Sequence, residues 1–183
     1  MLCARSEFFR KSFQKDFREG QEDELYLPED DSDAFANTID WIFSQRLACH
    51  RKHTTSDADQ AEHQMRFRKL FVLADKFLLR DLANDTAIEY EKCLTKGSWL
   101  PSIEAVGYIY ENTIEKSAIR KVMVRLYVEW LFRKESKNAD DWAGTIISQP
   151  NFCKDVLEAV NAHIDLDPSR CNIKIKCRIH SDE

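Results

Sequence analysis

Apolar residues recur at helical spacing along most of this 183-residue chain, and the places where that spacing fails divide it into elements. Leu2, Phe9, Phe13 and Phe17, with Arg and Lys between them, predict an amphipathic helix ending near Gly20. Glu24-Leu25-Tyr26-Leu27 alternates briefly and is stopped by Pro28, the mark of a short strand. The acidic run Glu29-Asp30-Asp31-Ser32-Asp33 supplies the oxygens and negative charge that favour a helix start. A helix is therefore expected over residues 33–47, with Phe35, Ile39, Ile42 and Phe43 on its apolar side. Residues 48–62 show no apolar period and read as a solvated loop. Leu70, Leu73, Ala74, Phe77 and Leu78 then define one helical face, and Leu82, Ala83, Ala87, Ile88, Tyr90 and Leu94 a second, ending near Gly97.

Residues 98–101 mark a boundary. Beyond it Ser102 can cap a helix carrying Ile103, Val106, Ile109 and Tyr110, and a longer helix over residues 115–134 has Ile119, Val122, Met123, Leu126, Tyr127, Trp130 and Leu131 as its stripe. Two shorter helices, over 140–148 and 152–162, are separated by Gln149-Pro150-Asn151. In the tail Ile173, Ile175, Cys177 and Ile179 alternate with Lys174, Lys176 and Arg178, the period of a strand. The fold class that follows is mainly α, or α+β with a reduced sheet, and no repeat of solenoid length is present.

Composition agrees with helices, since only four Gly and four Pro interrupt the chain. A formal charge of −5 argues against direct nucleic-acid or anionic-membrane binding, which needs clustered cations. No membrane span or signal-peptide pattern occurs, so an intracellular protein, cytoplasmic or nuclear, is expected, with Cys3, Cys49, Cys93, Cys153, Cys171 and Cys177 as reduced thiols. Gly-rich phosphate loops, a Gly-x-Ser-x-Gly elbow and a His-Glu-x-x-His helix are all missing, so no enzyme and no catalytic residue is expected. Glu29, Asp30, Asp31 and Asp33 are read as helix-capping acids. Cys49, His50, His53 and His63, and Cys171, Cys177 and His180 in the tail, are metal-donor types without a paired ligand framework. Neither metal nor cofactor is expected from them.

Several segments, in order, resemble the BTB/POZ family. Leu2-Cys3-Ala4-Arg5-Ser6-Glu7-Phe8-Phe9 is similar to its helix with a leucine, a small residue, a serine and an aromatic pair, followed here by Phe17-Arg18-Glu19. Leu25-Tyr26-Leu27-Pro28-Glu29-Asp30-Asp31 resembles the strand and acidic turn, and Phe35 with Ile39-Asp40-Trp41-Ile42-Phe43 the next helix. Leu70-Phe71-Val72-Leu73-Ala74-Asp75-Lys76-Phe77 and Leu82-Ala83-Asn84-Asp85-Thr86-Ala87-Ile88 are similar to the helix pair that follows, in the style of fungal members. The resemblance covers residues 2–94. It departs from the family at the start, where an opening β-hairpin is expected and the sequence begins inside the first helix.

The resemblance implies a BTB/POZ-like domain over 1–97, a helical extension over 98–167 and a tail over 168–183. It implies a protein–protein interaction module with protein partners: a second copy in a homodimer, or a cullin-type ubiquitin ligase. The expected working surface is the first helix around Arg5, Phe8 and Phe9, together with Asp40, Phe43 and the stretch from Gln64 to Phe67. The alternatives are a purely structural helical domain and a small metal-binding regulator.

Overall fold

The computed structural model describes residues 2–47, 57–97, 99–132, 144 and 148–166. The chain opens with three short helices, α1 (Leu2–Arg5), α2 (Glu7–Ser12) and α3 (Arg18–Glu22). The single helix expected there is broken by Ser6, whose extended backbone (φ −124°, ψ 123°) caps α2. Its hydroxyl accepts from the Phe9 N–H (3.2 Å) and donates to the Phe77 carbonyl (2.6 Å), tying the start of the chain to a position 71 residues away. Gly20 lies inside α3 and does not end it. A Cβ there would fall 2.1 Å from the Gln14 carbonyl oxygen, so the close return of the chain requires glycine.

Residues 24–27 are irregular, not the expected strand, and no strand occurs among the described residues. Tyr26 is 85% exposed, while Leu25 and Leu27 lean on the core, so alternation records a half-buried segment without a ladder partner. The tail strand expected at 173–179 and most of the helix expected at 140–148 lie outside the described residues.

The body is built from α4 (Ser32–Ser44), α5 (Asp57–Lys76), α6 (Arg80–Gly97), α7 (Ile103–Asn112), α8 (Ala118–Leu131) and α9 (Pro150–Leu166). Asp31 caps α4 by accepting from the Ala34 N–H (2.9 Å), and Ser102 caps α7 from the Ala105 N–H (3.2 Å), as the capping residues predict. Helix α5 begins six residues before the loop expectation ended. Its first turns hold Ala, Gln and Glu, good helix formers, with Asp57 and Asp59 at the positive end where acids are favoured, and Ala61 and Glu62 face solvent, so no apolar stripe marks its start.

α5 is central: it packs on α4, α6 and α7, while α8 packs on α6 and α7, and α9 on α8 and α7. One hydrophobic core runs through all of them, from Phe9 and Trp41 through Phe71, Phe77, Leu82 and Tyr90 to Ile109, Met123 and Phe152. Two of its buried hydroxyls are satisfied locally, those of Thr38 and Thr86, which donate to the carbonyls of Ala34 and Leu82 one turn back, whereas Arg68 Nε, the Tyr90 hydroxyl and the Ser117 hydroxyl are buried without a hydrogen-bond partner among the described residues.

Candidate protein-interaction site

The expected surface residues separate into two groups. Phe9 (1% exposed), Gln64 (7%) and Phe67 (6%) are buried and offer nothing to a partner, because their stripe faces the core. Phe9 sits in an aromatic cluster with Phe8, Phe35 and Phe77, at ring separations from 4.9 Å to Phe77 to 6.5 Å to Phe35. Phe8 is half-buried against Phe77 at 5.0 Å and supports the site more than it presents it. Arg5, Asp40 and Phe43 are exposed. Phe43, at 69%, is a large apolar side chain left in water on a helix whose Trp41 and Ile42 are buried.

Arg5 is held in place by contacts the periodicity did not predict. Arg5 donates from Nη1 to Gln45 Oε1 (2.9 Å), and its guanidinium lies 5.8 Å from the centroid of the Trp41 ring. Gln45 closes α4 in the left-handed region (φ 55°), its backbone N–H bonded to the Trp41 carbonyl, and its side-chain amide donates to the Trp41 and Ile42 carbonyls. Trp41 Nε1 donates to Asp85 Oδ2 (3.0 Å), which joins α4 to α6. Arg5 and Trp41 line an open depression of about 450 Å³ with Ala4, Leu79, Arg80 and Asp81. Asp85 and Gln45 carry no periodic signal, because hydrogen bonds between distant segments leave none.

A second depression of about 370 Å³ lies beside the aromatic cluster, walled by Leu2, Phe9, Phe13, Leu25, Leu27 and Phe35, with Asp30 and Ser32 at its polar edge. The turn bordering it is anchored to α5 by two ion pairs, Lys76 to Asp30 (2.7 Å) and Lys69 to Asp31 (2.6 Å). The Lys69 hydrogen bond, then the Ala34 N–H, holds the Asp31 carboxyl below its ordinary range, and Asp31 in turn raises the Lys69 ammonium.

Among the described residues no three His, Cys, Asp or Glu side chains are grouped to hold a metal ion. His63 Nε2 lies 3.4 Å from Cys93 Sγ, and the other expected donors, Cys49, His50, His53, Cys171, Cys177 and His180, lie outside the described residues. Among the described residues no helix is long and apolar enough to cross a membrane.

The model of the BTB/POZ domain family matches residues 1–89. The match spans α1 to most of α6, and so contains the Arg5–Trp41–Gln45 arrangement, the aromatic cluster and both depressions. BTB/POZ domains are protein–protein interaction modules, not an enzyme family. No curated protein and no solved structure matches the chain.

Proposed function

We propose that the chain holds a protein partner through the exposed strip formed by Arg5 of α1 and Asp40 and Phe43 of α4, with residues 1–97 as the BTB/POZ-like unit and 98–167 as a helical extension docked on it. The observation that carries the reading is Phe43: an apolar side chain 69% exposed, one helical turn from the exposed Asp40 on the same helix that holds Arg5 through Gln45, has the character of an interface anchor. A cullin-type ubiquitin ligase scaffold is the partner the family resemblance implies. Self-association is the second reading, supported by the separate apolar depression at Leu2, Phe13, Leu25 and Leu27 and by the 85% exposed Tyr26 beside it.

Calorimetric titration with the N-terminal domain of a cullin, together with sedimentation equilibrium of the chain alone, tests both. Phe43→Ala with Arg5→Ala is expected to weaken heterotypic binding by about tenfold or more at unchanged melting temperature. Tyr26→Asp with Phe13→Ser is expected to shift any dimer to monomer. Binding indifferent to the first pair overturns the proposed surface, and no binding, in a chain that sediments as a monomer throughout, favours the purely structural reading.

A further inference from the structure

α8 and α9 enclose a groove of about 560 Å³, within the ~300–1,000 Å³ of ligand sites and far from the Arg5–Phe43 strip in sequence. Its apolar lining is small and β-branched: Val124 and Val128 from α8, Ala159 and Ala162 from α9. Its charged lining is unbalanced. Lys116, Arg120, Lys121, Arg125 and Lys154 face three acids, Glu115, Asp155 and Glu158, an excess of two cations in a chain whose formal charge is −5.

The partners of these groups show where the positive charge is left unpaired. Asp155 accepts from the Tyr110 hydroxyl (2.6 Å), and Arg125 pairs with Glu91 of α6. Lys116 and Lys121 have no ion-pair partner among the described residues, and Lys154 reaches Glu158 only at 3.9 Å. Arg120 is the centre. It is 6% exposed, stacked 4.3 Å from the Tyr110 ring centroid, and fixed by bonds from Nε to Thr113 Oγ1 (2.9 Å) and from Nη2 to the Tyr110 carbonyl (2.9 Å) and the Thr113 carbonyl. None of its partners is a carboxylate, and its Nη1 group has no hydrogen-bond partner among the described residues. A guanidinium immobilised in this way, with one amino group idle, is a prepared receptor for a carboxylate.

From this we infer that the groove between α8 and α9 is a second docking site, for a segment of a protein partner in which carboxylates accompany apolar side chains. A partner carboxylate pairs with Arg120 while Leu-, Ile- or Val-type side chains cover Val124, Val128 and Ala159, and Lys116 and Lys121 steer the approach. Nucleic acid fits less well, because the lining offers no aromatic stacking platform. The site does not depend on the α1–α4 strip, so the two fail separately.

The test selects random dodecapeptides displayed on phage against the full chain and measures the best-enriched peptide by fluorescence anisotropy. The expected result is enrichment of Asp or Glu beside Leu, Ile, Val or Phe, with affinity that falls as salt rises. Lys116→Glu with Lys121→Glu, both exposed positions, should weaken binding by about tenfold or more, and Arg120→Lys should weaken it while keeping the charge. Phe43→Ala should leave it unchanged. Failure to enrich, peptides without acids, or indifference to the lysine pair overturns the proposal. So does enrichment of Ile alternating with Lys or Arg, the pattern of residues 173–179, which would mark the chain's own tail or a second copy as the occupant. Equal lysine-dependent binding to phosphatidylserine vesicles would assign the groove to lipid instead, and would likewise overturn it.

Discussion

Ser6 shows how one side chain can outrank a periodic pattern. Leu2, Phe9 and Phe13 fit one helix, yet the serine hydroxyl satisfies an orphan N–H of α2 and a carbonyl at the end of α5 at once. Ser6→Ala is expected to cost about 1–2 kcal/mol in urea denaturation, since it removes a cap and leaves the buried Phe77 carbonyl without its hydroxyl donor. Asp31 carries a pH dependence of definite sign. Its folded-state value is lowered, so the stabilisation is complete above the ordinary aspartate value of 3.8 and is lost as pH falls through the folded one. With Lys69 40% and Asp31 32% exposed, solvent screens the pair and the slope is shallow. Urea midpoints measured down the acid limb should therefore fall for the native chain and fall less for Asp31→Asn, which no longer titrates there. Capping roles of this kind were legible in the sequence, because Asp31 and Ser102 precede apolar periods directly; the long-range half of each interaction was not.

Two glycines decide how elements meet, and they call for opposite outcomes. In α3 a Cβ on Gly20 meets the backbone of Phe13 and Gln14, which cannot swing aside, so Gly20→Ala should destabilise by about 1–3 kcal/mol. In α7 a Cβ on Gly107 meets only the far end of Gln149, at 3.2 Å, and that amide can give way. Gly107→Ala should stabilise by about 0.5–1 kcal/mol through helix propensity, whereas Gly107→Ile should loosen the start of α9. Thermal melts of the three variants check the signs. Helix positions and most stripes were legible because burial of one face enforces a 3.6-residue period. Exceptions are instructive: Ile88 and Ile103 fit their stripes yet are 48% and 41% exposed, since periodicity marks a face but not whether a neighbour reaches it. Leu25 and Leu27 alternate as a strand would, but no second segment offers a ladder among the described residues.

Across the molecule a single core unites the part that matches BTB/POZ with the helices after it, through α5 on α7 and α6 on α8. Cooperative packing of this kind predicts one unfolding transition: circular dichroism at 222 nm and tryptophan fluorescence should give superimposable urea curves. Two separated transitions would show that the helices after residue 97 melt apart from those before it. The same arrangement divides the surface between two positions. The proposed surface of Arg5, Asp40 and Phe43 lies within residues 1–89, and the α8–α9 groove lies wholly beyond them.

The order of apolar and polar residues by itself determined that this chain is helical, where α4 and α7 begin, which stripes are apolar, and which family residues 2–94 resemble, because secondary structure and family pattern are local properties of a chain. The family resemblance also led to an expected surface of Arg5, Phe8, Phe9, Asp40, Phe43, Gln64 and Phe67. Only the tertiary structure decided that Phe9, Gln64 and Phe67 are interior, that Trp41 and Gln45 hold Arg5, and that Arg120 is a buried cation without a carboxylate. Each of those facts depends on which side chain arrives from a distant segment, and a linear pattern carries no record of the distances folding brings to contact.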